Sequence, residues 1–167
     1  MKVIVADSSS LILLAKIELL ELFSSSCELY IPTSVFDECV QNVDRVKYPN
    51  AYAINYLVEN HSITVASATK RKDLPLKLDK GEEEAIQLML ELHADILASD
   101  DGKAIKVCKL LKIPYVVTPK IVTELYVKKT ITLVKAKESL ENLRIWGRYS
   151  PDIIARAFLE LTEVDNA

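Results

Sequence analysis

The chain opens on a short β-branched apolar run, Lys2 to Ala6, that stops at Asp7. An uninterrupted apolar run of this length is the pattern of a strand buried on both faces. Ser8, Ser9 and Ser10 follow as helix-capping residues, and the mostly apolar stretch Leu11 to Phe23, polar at Lys16, Glu18 and Glu21, predicts one helix. Leu29-Tyr30-Ile31 predicts a second strand, and Pro32 with Thr33 or Ser34 starts a helix through Val35, Glu38 and Cys39. A helix is expected from Asn50 to Asn60, a strand over Ile63 to Ala66, and a charged loop from Ser67 to Leu76. The apolar positions Ala85, Ile86, Leu88, Met89, Leu90 and Leu92 predict a helix from Glu82 to His93. Ile96-Leu97-Ala98 then ends at Ser99-Asp100-Asp101, and Ala104 to Leu111 mixes apolar and lysine positions at helical spacing, so the opening order of strand, acid and helix recurs. Tyr115-Val116-Val117 predicts a last strand, followed by helical stretches from Thr118-Pro119 to about Leu143 and from Pro151 to Leu161.

Strands that alternate with helices at this spacing call for a mostly parallel sheet, because parallel neighbours need crossover connections. The expected fold is α/β, a three-layer α/β/α sandwich formed by one domain over residues 1–167. In such sheets ligands bind beyond the carboxyl ends of the strands, near the point where strand order reverses. Asp7 and Asp100-Asp101 both fall at strand C-termini.

Composition narrows the chemistry. A chain of 167 residues, half of them hydrophobic, is long enough to bury a core without disulfides or a structural metal. Cys27, Cys39 and Cys108 are odd in number and widely spaced, which suggests neither a disulfide framework nor a zinc site and suits a reducing cytoplasm. The apolar stretches are too short or too charged to span a bilayer, so a soluble cytoplasmic protein is expected. Net charge is −3, so any nucleic-acid contact must be local, through clusters such as Lys70-Arg71-Lys72 or the lysines at 103, 106, 109 and 112. Most such clusters are solvated helix faces.

The candidate site is a set of carboxylates: Asp7, Glu38, Glu82, Asp100 and Asp101. Carboxylates packed together without cations repel one another, and a divalent ion relieves the repulsion. Hard oxygen ligands without His or Cys favour Mg²⁺ or Mn²⁺ over zinc, and a metal so held can activate water against a phosphodiester. Each acid also has an ordinary use. Asp7 can cap the first helix, Glu38 can face solvent, Glu82 stands three residues after Asp79 at near capping-box spacing, and Asp100-Asp101 can be an N-cap with its partner. Glu83 and Glu84 leave open which glutamate points inward.

Four segments taken together resemble the PIN-domain family. They are Ala6-Asp7-Ser8-Ser9, Ile31-Pro32-Thr33-Ser34-Val35-Phe36-Asp37-Glu38, Leu78-Asp79-Lys80-Gly81-Glu82-Glu83-Glu84-Ala85-Ile86 and Leu97-Ala98-Ser99-Asp100-Asp101-Gly102-Lys103-Ala104. The third is similar to the form found in a subgroup related to toxin ribonucleases, with Glu82 where many PIN domains have aspartate. The resemblance implies an Mg²⁺- or Mn²⁺-dependent endoribonuclease, the toxin of a toxin–antitoxin pair, acting as a homodimer on an RNA substrate. By it Asp7, Glu38, Glu82 and Asp100 are metal ligands, Asp101 is a further ligand or an outer residue, and Ser9 bonds a ligand carboxylate or water. The segment after Ile131 has no family signature, and the helices from about 132 are expected to serve a partner such as an antitoxin. Three rival readings remain. A haloacid-dehalogenase-type phosphatase needs a second acid where Ser9 stands, a Gly-rich nucleotide-binding loop is missing, and an inactive module would bind RNA or protein without cutting.

Overall fold

The structure, a computed structural model, describes residues 1–167. Two compact units divide the chain, Met1–Val116 and Val117–Ala167. The boundary lies ahead of position 132, where the helices expected to contact a partner were placed.

The first unit is a five-stranded, wholly parallel sheet flanked by helices, the three-layer α/β arrangement expected. Its elements in chain order are β1 (Val3–Ala6), α1 (Ser8–Lys16), α2 (Leu20–Ser25), β2 (Glu28–Pro32), α3 (Thr33–Phe36), α4 (Asn50–Glu59), β3 (Ile63–Ala66), α5 (Lys80–Glu91), β4 (Ile96–Ala98), α6 (Gly102–Leu111) and β5 (Tyr115–Val116). Strand order is β3-β2-β1-β4-β5, with every neighbouring pair parallel. Connection order therefore reverses between β1 and β4. A crevice opens at their carboxyl ends, because the chain leaves the two strands in opposite directions. Val5, Ala6, Leu97 and Ala98 in these strands are fully buried. Val5 and Leu97 share a core with Ala85, Ile86 and Leu88 of α5 and Val107 and Cys108 of α6.

Three sequence expectations are corrected. The single helix from Leu11 to Phe23 is two helices, broken between Lys16 and Leu20. The stretch from Thr118 toward Leu143 is likewise interrupted after Val127. Glu38 lies not in a regular helix but in a π-helical turn, Asp37–Gln41, that continues α3. The breaks share one cause. Glu18, His61, His93, Lys112 and Lys129 have positive φ, and each ends a helix. At the first, Leu19 N–H donates to Leu14 O at 3.0 Å and Glu18 N–H to Ala15 O at 3.1 Å, the paired bonds of a Schellman motif. The same pairing recurs at the other four positions. Glycine normally takes this left-handed position, since any other residue there costs roughly 1–2 kcal/mol. With only three glycines in the chain, these helix ends carry no sequence mark.

The second unit comprises α7 (Thr118–Val127), α8 (Leu133–Trp146) and α9 (Pro151–Asp165), which pack on one another. Ile121, Val122, Leu125, Leu140, Leu143 and Leu161 form its buried face. No helix of the chain is long and apolar enough to cross a membrane.

Candidate functional site

Four consecutive residues after β1 tie its exit to the exit of β4 and to Glu38. Asp7 N–H donates to Ala98 O at 3.1 Å, and Ser10 Oγ donates to the same carbonyl at 2.8 Å. Ser9 Oγ donates to Asp7 Oδ1 at 2.6 Å and accepts the Asp100 N–H at 2.9 Å. Ser8 Oγ donates to Glu38 Oε2 at 3.0 Å. Successive helical residues point about 100° apart, so one turn of α1 reaches three different groups.

Asp7 is the N-cap of α1 and only 1 % exposed. Its Oδ1 also accepts the Ser10 N–H at 3.2 Å, and its Oδ2 accepts the hydroxyl of the fully buried Ser99. Ser99 Oγ accepts the Asp101 N–H at 3.2 Å in turn. Ser9 and Ser99 thus do matching work: each takes a backbone N–H from the β4 exit and gives its proton to one oxygen of Asp7.

These donors do not offset the cost of burial. Desolvation is the largest effect on Asp7, and with the nearby Asp100 charge it outweighs the bonds from Ser9, Ser99 and Ser10, raising the pKa from 3.8 to about 6. Glu82 behaves alike, raised from 4.5 to about 7 by desolvation first, then by the charge of Asp101 and the proton it shares with that carboxyl. The groups acting on Asp7 are hydroxyls, an amide and a carboxylate, and those acting on Glu82 are carboxyls and an amide. Neither set contains a cation. Two buried thiols register the same negative field. Cys39 is pushed up to about 12 by burial and by Glu38 and Asp7, and Cys108 to about 11 by burial and by Asp7.

Among the three consecutive glutamates of α5, Glu82 is the one beside Asp101. Glu83 and Glu84 turn instead to Arg71, at 3.2 and 3.5 Å. Glu82 also keeps its capping duty, accepting the Asp79 N–H at 3.2 Å. Asp101 caps α6, its Oδ1 accepting Lys103 N–H and Ala104 N–H, both at 2.9 Å. The ordinary uses foreseen for Asp7, Glu82 and Asp101 are real, and they hold the acids at the crevice.

Glu38 reaches the start of α5 because Gly81 leaves room. A Cβ at Gly81 would stand 3.1 Å from Glu38 Oε2 and 3.2 Å from Oε1. A carboxylate at a helix N-terminus is favoured by the unpaired amides there. Ser8, Gly81 and Ser99 are the site residues that sequence reasoning missed. Ser99, the lone hydroxyl between an apolar strand and two acids, was the readable signal.

The donor chemistry fits Mg²⁺ or Mn²⁺: oxygen ligands, uncompensated charge, and a glycine cradle that brings Glu38 toward α5. The Asp100 charge acts on Asp7, and the Asp101 charge acts on Glu82. No three His, Cys, Asp or Glu side chains are gathered closely enough to chelate one ion.

A family model for DUF3368, described as a PIN domain, matches residues 3–163. Among solved structures, the chain is similar to a PilT N-terminus domain protein from the hyperthermophilic archaeon Sulfolobus solfataricus P2. The TM-score is 0.51 at 21 % identity, over 71 % of this chain and 88 % of that one. At that identity the likeness bears on fold alone. No curated protein matches.

Proposed function

The chain belongs to the PIN-domain family, whose members are generally nucleases that use divalent metal ions, and from that premise we propose that it is a metal-dependent endoribonuclease. The observation that carries this reading is the gathering of carboxyls at the β1 and β4 exits, with the buried Asp7 tied to the β4 exit through Ser9 and Ser99 and Glu82 beside Asp101. Asp7, Glu38, Glu82, Asp100 and Asp101 would hold Mg²⁺ or Mn²⁺, which when bound supplies Lewis-acid polarisation of the phosphodiester and activation of water. The chain's own part is positioning. Ser9 and Ser99 fix both oxygens of Asp7, Ser8 fixes Glu38, and the caps of α5 and α6 fix Glu82 and Asp101. A toxin role with an antitoxin partner and a homodimeric state are part of the same proposal, supported by the motif resemblance.

A second reading is a module that binds RNA or protein without cutting, and the lack of a preassembled carboxylate trio is what favours it. The test is cleavage of end-labelled RNA with Mn²⁺, with Mg²⁺ and with EDTA, alongside Asp7→Asn and Asp100→Asn. Metal-dependent cutting that falls by at least about 100-fold in both variants is the expected result. Cutting that persists in EDTA or in both variants excludes the proposed site, and no cutting with any metal favours the second reading.

A further inference from the structure

Two buried side-chain oxygens of the chain have no hydrogen-bond partner, Ser34 Oγ and Ser139 Oγ. A hydroxyl taken out of water without a partner is unfavourable, so each calls for a reason. Ser139 is 1 % exposed on the buried face of α8, and the residues three and four positions to either side, Lys135, Ala136, Asn142 and Leu143, include no acid. Ser34 is 6 % exposed in α3, and three and four positions ahead of it stand Asp37 and Glu38. Of these two, Glu38 is tied to the acid site, through Ser8.

Helix α3 runs without a break into the π-helical turn Asp37–Gln41, which Asn42 N–H closes on Asp37 O at 2.8 Å. Such widened turns recur at functional sites. Residues four apart on a helical run are neighbours on one face, with about 5–6 Å between their Cβ atoms. A serine hydroxyl there can reach a glutamate oxygen. In this state Glu38 is turned elsewhere: its carboxylate lies over Gly81 of α5, and its Oε2 takes the Ser8 hydroxyl at 3.0 Å. Asp7 sets the comparison, since Ser9 holds its Oδ1 and Ser99 its Oδ2, one serine for each oxygen. Glu38 has a serine on one oxygen and a second, unused serine one turn back.

We propose that Ser34 is a positioning residue of the acid site, its hydroxyl donating to Glu38 Oε1 when Glu38 turns from Gly81 to hold the metal. The unpaired hydroxyl then belongs to the metal-free state alone, and on loading Glu38 acquires the two-serine support that Asp7 already has. This role rests on the metal-dependent reading of the site, and it makes Glu38 a ligand that moves on loading.

The test is calorimetric titration of metal-free protein with Mn²⁺ at pH 7.5, beside thermal unfolding in EDTA, for the wild type, Ser34→Ala and Ser139→Ala. Ser34→Ala unfolds about 2–4 °C above the wild type in EDTA, because a buried unpaired hydroxyl is gone. It binds Mn²⁺ about 10- to 100-fold more weakly, the loss that follows removal of a group supporting a metal ligand. Ser139→Ala shows the same gain in EDTA and binds Mn²⁺ like the wild type. A serine that only fills space leaves Mn²⁺ affinity unchanged, so a more stable protein with a weaker metal site is the signature of Ser34. Ser34→Ala that binds Mn²⁺ as the wild type does, or that unfolds below it in EDTA, overturns this role alone. A wild type that takes up no Mn²⁺ overturns the metal-dependent reading and this role with it.

Discussion

Two carboxylates in this chain, each held by a buried hydroxyl, end in opposite electrostatic states. In the C-terminal unit, Glu160 Oε2 accepts from Thr123 Oγ1 at 3.0 Å and from Lys120 Nζ at 2.8 Å. Desolvation pushes its pKa up, but the bonds from Lys120 and Thr123 and the lysine charge together hold it below the usual value. In the N-terminal unit, Asp7 has two hydroxyls and an amide, more hydrogen bonds than Glu160, and its pKa still rises to about 6. Burial and charge together decide the outcome: Asp7 is 1 % exposed and faces the Asp100 charge, whereas the Glu160 side chain is 40 % exposed and faces Lys120. Glu160 has its cation within the fold, whereas beside Asp7 the proposed metal would supply it.

The contrast is sharpest in pH dependence without divalent metal. Asp7 binds its proton more tightly folded than unfolded, so its part of the stability is full below about pH 4 and is lost as pH rises through about 6. Chemical denaturation across that range should show a loss of about 3 kcal/mol from this group. Glu82, raised to about 7, extends the fall in the same direction. Glu160 has the opposite sign: its part is present above the usual carboxylate pKa and is lost as pH falls through its lower folded value. A pH dependence between pH 4 and pH 7 that is the same in Asp7→Asn as in the wild type breaks the comparison.

Removing the hydroxyls separates the two sites next. Ser99→Ala strips one donor from Asp7 and leaves the Asp101 N–H unmatched, at a cost of about 2 kcal/mol in denaturant titration. Thr123→Ala, where Lys120 still holds the carboxylate, costs about 1 kcal/mol in the same assay. Glu160→Gln is the smallest change. Lys120 and Glu160 are 48 and 40 % exposed, and solvent-exposed pairs contribute below about 1 kcal/mol. A larger loss for Glu160→Gln than for Ser99→Ala reverses the ranking.

The sheet was readable because apolar runs such as Val3 to Ala6 and Ile96 to Ala98 end at acids, and their recurrence identified the two strands that flank the crevice. Asp7, Asp100 and Asp101 were readable for the same reason, as charged residues placed where the chain leaves a buried strand, whereas Glu38 and Glu82 lie beyond helix starts and were singled out by motif resemblance. Helix ends were not readable. Glu18 and Lys129 take a glycine's conformation without being glycine, so the breaks they make are set by backbone bonds to Leu14 and Leu125 and by the burial of the residues around them. Ser99 and Gly81 escaped notice because their roles depend on partners 92 and 43 positions away, Asp7 and Glu38, which only the fold brings near. The choice among Glu82, Glu83 and Glu84 likewise waited on Arg71, which occupies the two outer glutamates.

Thermal unfolding at pH 7.5 of the wild type and Asp7→Asn, each with and without Mn²⁺, bears most directly on the proposal that Asp7 holds a divalent metal. The wild type should gain stability with Mn²⁺ by the amount mass action gives a ligand bound only to the folded state. Asp7→Asn should be at least as stable as the metal-free wild type and should respond little to Mn²⁺. A wild type that ignores Mn²⁺, or a variant that gains as much from it, contradicts the account.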